Sequence, residues 1–269
     1  MQPKIVMPMN DPRGVIFPHL KAITPTLKTL FARSFVSVSP ATRNAQPEHF
    51  RWLENEAFYD VLYHEMDMPV GDDFLALYRH AATASHPDEI LHLCFPDRIA
   101  FALQTEHRDS FADDINVLQK DQTPIIFHRS QAAWDTHPVN YRDIEQMVTA
   151  AGEHLFKKSF DFAWCHLAAP ASFLVEILPR VKSHDLTIEA EIVLLLSDKI
   201  KTKAVDWLAW EDPFIFGRNA QELKREREQS QQETRKRLSY VIPMLHCLYQ
   251  ATEEDCECLS QDKIFGGFA

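Results

Sequence analysis

The chain has 269 residues, of which 45% are hydrophobic and 25% charged, the balance of an ordinary folded protein large enough for one α/β domain with an appendage. Its 39 acidic residues outnumber 28 basic ones for a net charge of −11, which argues against binding nucleic acid through bulk charge. Only six glycines are present. No G-x-G-x-x-G and no Walker A sequence can be written from them, which excludes the glycine-cradled dinucleotide and P-loop classes.

No apolar run reaches the roughly 18 residues that span a bilayer, and the first residues, MQPKIVMPMND, lack a signal-peptide pattern. Five cysteines make an odd number, and Cys94 and Cys165 fall in apolar segments. Reduced, mostly buried thiols and a cytoplasmic location are therefore expected. Cys256 and Cys258 form a C-x-C with no second pair at zinc-ligand spacing.

In chain order, KIVMPMND (4–11) reads as a strand ending at Pro8, Asn10 and Asp11. Residues 20–31 have helical spacing, and SFVSVSP (34–40) alternates as a strand. HFRWLENEAFYDVLYHE is aromatic-rich and fits either pattern. Residues 70–86 read as a helix, with Asp72 and Asp73 at its positive end. EILHLCF (89–95) then reads as an inner strand that runs into Pro96-Asp97-Arg98. Proline has no N–H to donate, so the ladder stops there and the Asp-Arg pair opens onto the sheet edge.

Further on, a helix is expected over 105–119 and a strand over 123–130. A second helix covers 138–156, a strand 160–168, and a helix Pro170 to about Val181. LTIEAEIVLLLSD (186–198) is apolar enough to be buried as helix or strand. On a strand Glu189 and Glu191 would share a face; on a helix they would not. The segment 203–214 ends in a polar turn, and a charged helix follows from Gly217 to about Gln250.

Strand alternating with helix predicts an α/β fold, a mostly parallel sheet with helices on both faces and a long C-terminal helix. The domain expectation is an α/β unit over 1–216 and a helical extension over 217–269. Four strand ends carry polar residues: Asn10 and Asp11; Asp97 and Arg98; His128, Arg129 and Ser130; His166. In a parallel sheet such ends lie along one edge, where ligands bind. Trp134 reads as a core residue or a stacking platform, and His137 as a structural hydrogen-bonder or a base.

The succession VMPMND, ILHLCFPDR, IIFHRSQAAWDTHPVNYRDIE, FDFAWCHLAAPASFL and EAEIVLLL before VDWLAWEDP resembles a divergent nucleotide-diphospho-sugar transferase of the GT-A type. It is also similar to a branch of uncharacterised bacterial GT-A-like proteins that carry Cys-Asp-x-Asp-Arg, followed downstream by Arg-x-x-x-Ala-(aromatic)-x-Thr-His-Pro. The matching residues here are Cys94, Asp97 and Arg98, then Arg129, Ala133, Trp134, Thr136, His137 and Pro138. The likeness covers about residues 4–215.

The resemblance implies a glycosyltransferase that takes a nucleotide-sugar donor and a small-molecule or glycan acceptor. It places Pro8, Asn10 and Asp11 at the nucleotide, Asp97 at a Mg²⁺ or Mn²⁺ ion on the diphosphate, and Arg98 and Arg129 at the phosphates. Glu191 or Glu211 would then serve the acceptor. Phe95 stands where the motif has its first acid, so Asp97 is the motif's only carboxylate. One carboxylate can hold such an ion when diphosphate oxygens and waters complete the octahedron. The alternative is a catalytically inactive scaffold whose C-terminal helix mediates homo-oligomer formation. A hydrolase using His128 or His137 has no accompanying nucleophile.

Overall fold

The computed structural model describes residues 1–119, 122–157, 160–196 and 198–264, with side chains described up to residue 252. Cys256 and Cys258 lie outside the described side chains. Seven strands form one sheet: β1 (Lys4–Met9), β2 (Ser34–Val38), β3 (Tyr59–Tyr63), β4 (Ile90–Cys94), β5 (Ile125–Arg129), β6 (His166–Pro170) and β7 (Lys201–Val205). Their order is β3-β2-β1-β4-β6-β5-β7. β6 runs antiparallel to both β4 and β5, and every other pairing is parallel. The expected mostly parallel α/β sheet is the observed one.

The apolar runs at β1, β2 and β4 follow from burial on both faces. Side chains alternate, so Ile5, Met7 and Met9 enter one core while Val6 enters the other. The first core lies under α1 (Ile16–Leu30), α5 (Pro96–Gln104) and α6 (Arg108–Leu118). The second is built with α4 (Val70–Thr83), α9 (Ala171–Ile177) and α10 (Thr187–Leu196). β7 is exposed along most of its length and carries Lys201 and Lys203, a composition that discourages further pairing at an open edge.

Between β1 and β3 run α1, α2 (Pro40–Ala45) and α3 (Pro47–Asn55), so the ambiguous aromatic stretch divides into a helix and an edge strand. The chain then returns through α4 to place β4 on the other side of β1. This reversal makes a crevice beyond the ends of β1 and β4, the usual ligand position in an open α/β sheet.

Pro96 ends β4 as expected, but it also opens α5 at the first helical position, where a missing N–H costs nothing. Asp97 thereby falls in a helix's first turn, where the dipole favours its charge. The expected strand at 160–168 is displaced to 166–170 and reversed, so His166 begins its strand instead of ending it. β7 lies within the interval whose Lys-rich pattern carries no apolar alternation.

The remaining helices are α7 (Gln131–Thr136), α8 (Val139–Phe156), α11 (Asp212–Ile215), α12 (Ala220–Gln229) and α13 (Gln231–Ile264). α13 packs on α8 and α10 through Val241, Met244 and Leu248, which are fully buried at helical spacing. That seam packs inside its own chain, and among the described residues nothing supports the expected self-association through this helix. Among the described residues no helix is long and apolar enough to cross a membrane.

Candidate functional site

Two hollows open side by side along the sheet edge. The first, about 420 Å³, lies in the crevice and is lined by Pro8, Asn10 and Asp11 beyond β1, by Ser39 beyond β2 and by the β3–α4 loop. The second, about 370 Å³, extends across β4, β5 and the start of β6, reaching Arg98 and Arg129, and is roofed by α13. Val70, Phe95 and Asp97 line both, so the two form one cleft with Asp97 at the junction. Phe95 packs its ring 5.7 Å from that of Phe74 and supplies an apolar wall where a second acid was sought.

Of the residues expected at the nucleotide, Asn10 is exposed, and its Oδ1 accepts a hydrogen bond from the Ser39 hydroxyl at 2.8 Å. Asp11 is buried and committed. Its carboxylate accepts the N–H groups of Val15 (2.9 Å) and Ile16 (2.7 Å) at the start of α1, while its own N–H donates to Thr42 Oγ1 at 2.6 Å. It shapes the loop by capping, and it reaches a ligand only as part of the wall.

At the junction, Asp97 Oδ1 accepts the Arg98 N–H at 2.8 Å. Burial raises the Asp97 carboxyl above its ordinary range; Arg98 opposes that shift and Asp212 reinforces it. The Arg98 guanidinium pairs with the buried carboxylate of Glu211. Burial pushes Glu211 up to about 8, against the pull of Arg98 and with help from Asp97 and Asp212. Glu211 is therefore held against Arg98 instead of standing free for an acceptor.

Arg129 is almost fully buried and equally engaged. It lies 2.9 Å from Glu145 and 3.8 Å from Asp161, donates through Nη2 to Cys165 Sγ at 3.2 Å, and stacks 4.2 Å over the Trp134 ring. Trp134 is thus a platform for an arginine, and not for a sugar or base. Both guanidiniums that the resemblance placed at the phosphates thus already face carboxylates of the chain itself.

Glu191 is not at the cleft. Segment 187–196 is helical, so Glu189 and Glu191 point apart. Glu191 accepts the N–H groups of Lys182 (3.1 Å) and Ser183 (3.0 Å) beside a separate hollow near Cys247. Glu189 is the one that lines the second hollow, and burial drives its carboxyl well above the ordinary range. Lys236, Arg237 and Tyr240 of α13 also line it, and the solvated look of the 217–240 segment hid them. Their signal was the apolar seam just downstream, which obliges the preceding turn of α13 to face the sheet edge.

Of the candidate histidines, His137 and His166 are buried. His137 is buried with Nδ1 at 2.9 Å from the Ala133 carbonyl oxygen, and burial lowers its basicity. His128 lies in a third hollow with Trp134 and Asp161. His166 is fully buried and shares a hydrogen bond with His92 at 2.9 Å. His92, His166 and Cys94 bring potential ligand atoms within 4.8 Å of one another. The set is walled by Phe111, Phe127 and Trp207, and its remaining ring nitrogens have no partner to orient a metal-bound imidazole. Its nitrogen and sulfur donors also do not suit Mg²⁺ or Mn²⁺.

No protein-family model matches the chain, and no curated protein matches it in sequence. Among solved structures it is similar to glucosyl-3-phosphoglycerate synthase from Mycobacterium tuberculosis in complex with Mn²⁺, UDP-glucose and phosphoglyceric acid. That match has a TM-score of 0.50 and 12% identity, over 91% of this chain and 80% of that one. A mycobacterial protein is similar with a TM-score of 0.48 and 13% identity, over 77% of this chain and 65% of that one. So is 4-diphosphocytidyl-2C-methyl-D-erythritol synthase from Anaerococcus prevotii, with a TM-score of 0.48 and 10% identity, over 82% and 98%. The fold is that of the GT-A nucleotide-diphospho-sugar enzymes. At these identities the likeness is one of fold.

Proposed function

We propose that the cleft binds a nucleotide-diphospho-sugar and transfers its sugar to an acceptor hydroxyl. The nucleoside occupies the first hollow, the diphosphate crosses the junction at Asp97, and the sugar enters the second hollow. The observation that supports this most is the meeting of two hollows, each of small-molecule size, at one carboxylate on a helix's first turn. The reaction breaks the bond between the anomeric carbon and the diphosphate oxygen and forms one to the acceptor oxygen. It releases the nucleoside diphosphate and the hydroxyl proton.

Asp97 would hold Mg²⁺ or Mn²⁺ by one oxygen, which fits an ion whose other ligands are diphosphate oxygens and waters. The ion would neutralise charge on the departing diphosphate. It does not fit an ion held by protein alone, because Phe95 supplies no oxygen. Among the chain's own groups, Pro8 and Asn10 flank the nucleoside. Arg98, hydrogen-bonded to Glu211 at rest, faces the phosphates and exchanges part of that contact for them. Glu211 acts through Arg98 as a positioning residue.

The test is calorimetric titration with UDP-, GDP- and ADP-sugars in the presence of Mg²⁺ or Mn²⁺. The proposal expects saturable binding of one nucleotide class, lost on removal of the diphosphate; absence of binding by all three would refute it. One observation favours binding without transfer, namely Phe95 at the junction beside an Arg98 already engaged by Glu211. Phe95→Asp separates the two readings. If the remaining site is competent, the variant gains metal-dependent turnover over wild type, whereas a silent scaffold gains none.

A further inference from the structure

Acids and cations are equal in number along the second hollow, and nearly all of them are engaged by other groups of the chain. Arg98 pairs with Glu211. Glu145 lies 2.9 Å from Arg129 and 3.4 Å from Arg237, and it accepts the Tyr240 hydroxyl at 2.6 Å. Lys236 acts on the charge of Glu233. Asp97 accepts the Arg98 N–H and Asp185 the Thr187 N–H, each at 2.8 Å. Bulk charge therefore selects no ligand here.

Glu189 is the exception. It stands on the buried face of α10 between Ile188 and Ala190, is 5% exposed, and lines the hollow. Among the described residues no group donates a hydrogen bond to its carboxyl and no cation is within ion-pair distance. Arg129 is near enough to act on its charge but is itself held by Glu145 and Asp161. The Glu189 backbone carbonyl accepts the Trp164 Nε1–H at 3.0 Å, a bond that any residue at this position would supply. The carboxyl faces the hollow: Arg129, Glu145 and Cys165, all in the lining, lie within reach of its charge. Native chains seldom keep a buried carboxyl without a partner, and a leucine would suit this helix face better. The partner it fits is a hydroxyl, which donates to a carboxylate or accepts from the protonated acid.

We infer that Glu189 hydrogen-bonds one hydroxyl of the sugar in the second hollow and thereby selects which sugar the donor carries. This rests on the proposed placement of the sugar there. Such selection is steep, because an epimer that turns the hydroxyl away leaves the carboxyl unpaired once water is excluded.

The experiment is calorimetric titration of the full chain, wild type and Glu189→Leu, with UDP, GDP and ADP and with their glucose, galactose and mannose conjugates, in Mn²⁺. The three sugars differ in the direction of single hydroxyls. With the nucleotide that binds, one epimer is expected to bind wild type about tenfold tighter than another, or more. Glu189→Leu should level the epimers while its affinity for the bare diphosphate stays that of wild type. Glu189→Gln keeps a hydrogen-bonding head and should keep part of the preference. The thermal midpoint gives a second reading without ligand: Glu189→Leu should melt at or above the wild-type temperature, since no contact of the fold is lost. Equal binding of the three sugars by wild type, or an unchanged preference in Glu189→Leu, overturns the inference while the nucleotide reading stands. So does a Glu189→Leu chain that melts well below wild type, which would make the carboxyl part of the scaffold. If no nucleoside diphosphate or conjugate binds, the transfer reading falls and this inference with it.

Discussion

The two hollows are built by different means. The first is made of strand ends and the loops that leave them: Pro8 to Asp11 after β1, Ser39 after β2, Phe95 after β4. Its fixed groups are mostly backbone, and its most buried acid, Asp11, is spent on capping α1. The second is made of side chains from α8, α10, α13, β5 and the segment before β6, joined in a buried ionic network around Arg129 and Glu145. A pocket of strand ends inherits its shape from the fold. A pocket of long side chains depends on charge balance, and losing one member leaves another charge uncompensated.

That contrast orders the expected effects. Glu145→Gln should be the most damaging, because it strips compensation from Arg129 and Arg237 together. A loss of about 3–5 kcal/mol is expected, measurable as a denaturation midpoint; a shift under about 1 kcal/mol would show the network to be solvent-screened. Asp97→Ala should leave stability nearly intact and weaken metal-dependent nucleotide-sugar binding about 100-fold, the scale of several kcal/mol for a metal–diphosphate contact. In the first hollow, Asp11→Ala should cost about 1–2 kcal/mol through the lost cap, with nucleotide affinity falling only through the loosened loop. Glu191→Ala, away from the cleft, should alter binding by less than about twofold, within the ±0.5 kcal/mol usual for remote surface changes.

Acidity sharpens the comparison further. Glu211 has a folded-state pKa of about 8 against an ordinary 4.5, so the folded chain holds a proton that the unfolded chain releases first. Its contribution is full below about pH 4.5 and declines as pH rises toward 8. Glu211→Gln should therefore flatten the fall in melting temperature between pH 5 and 8. Glu189 and Asp161, also raised by burial, should preserve part of the slope. An unchanged slope would show Glu211 to be ionised throughout.

The first hollow was the legible one. Its residues sit next to the breaks in apolar runs, at Pro8-Asn10-Asp11 and at Phe95-Pro96-Asp97, where local chemistry announces a strand end. The parallel sheet was legible for the same reason, as uninterrupted apolar strands imply cover on both faces. The reversed β6 was not, because direction is a tertiary property and His166 to Pro170 reads alike both ways. Glu189 and Glu191 show how period decides placement: a strand reading pairs them, and the helix sends one into the cleft and the other to a turn. Arg237 and Tyr240 were hidden by a run of charges that resembles a solvated face until Val241, Met244 and Leu248 fix its orientation.

The most direct measurement is a crystal structure of the chain soaked with a nucleoside diphosphate-sugar and Mn²⁺. The account predicts diphosphate density beside Asp97, the nucleoside over Asn10 and the sugar beneath α13. Diphosphate density elsewhere on the molecule, with the junction between Phe95 and Asp97 empty, would contradict it.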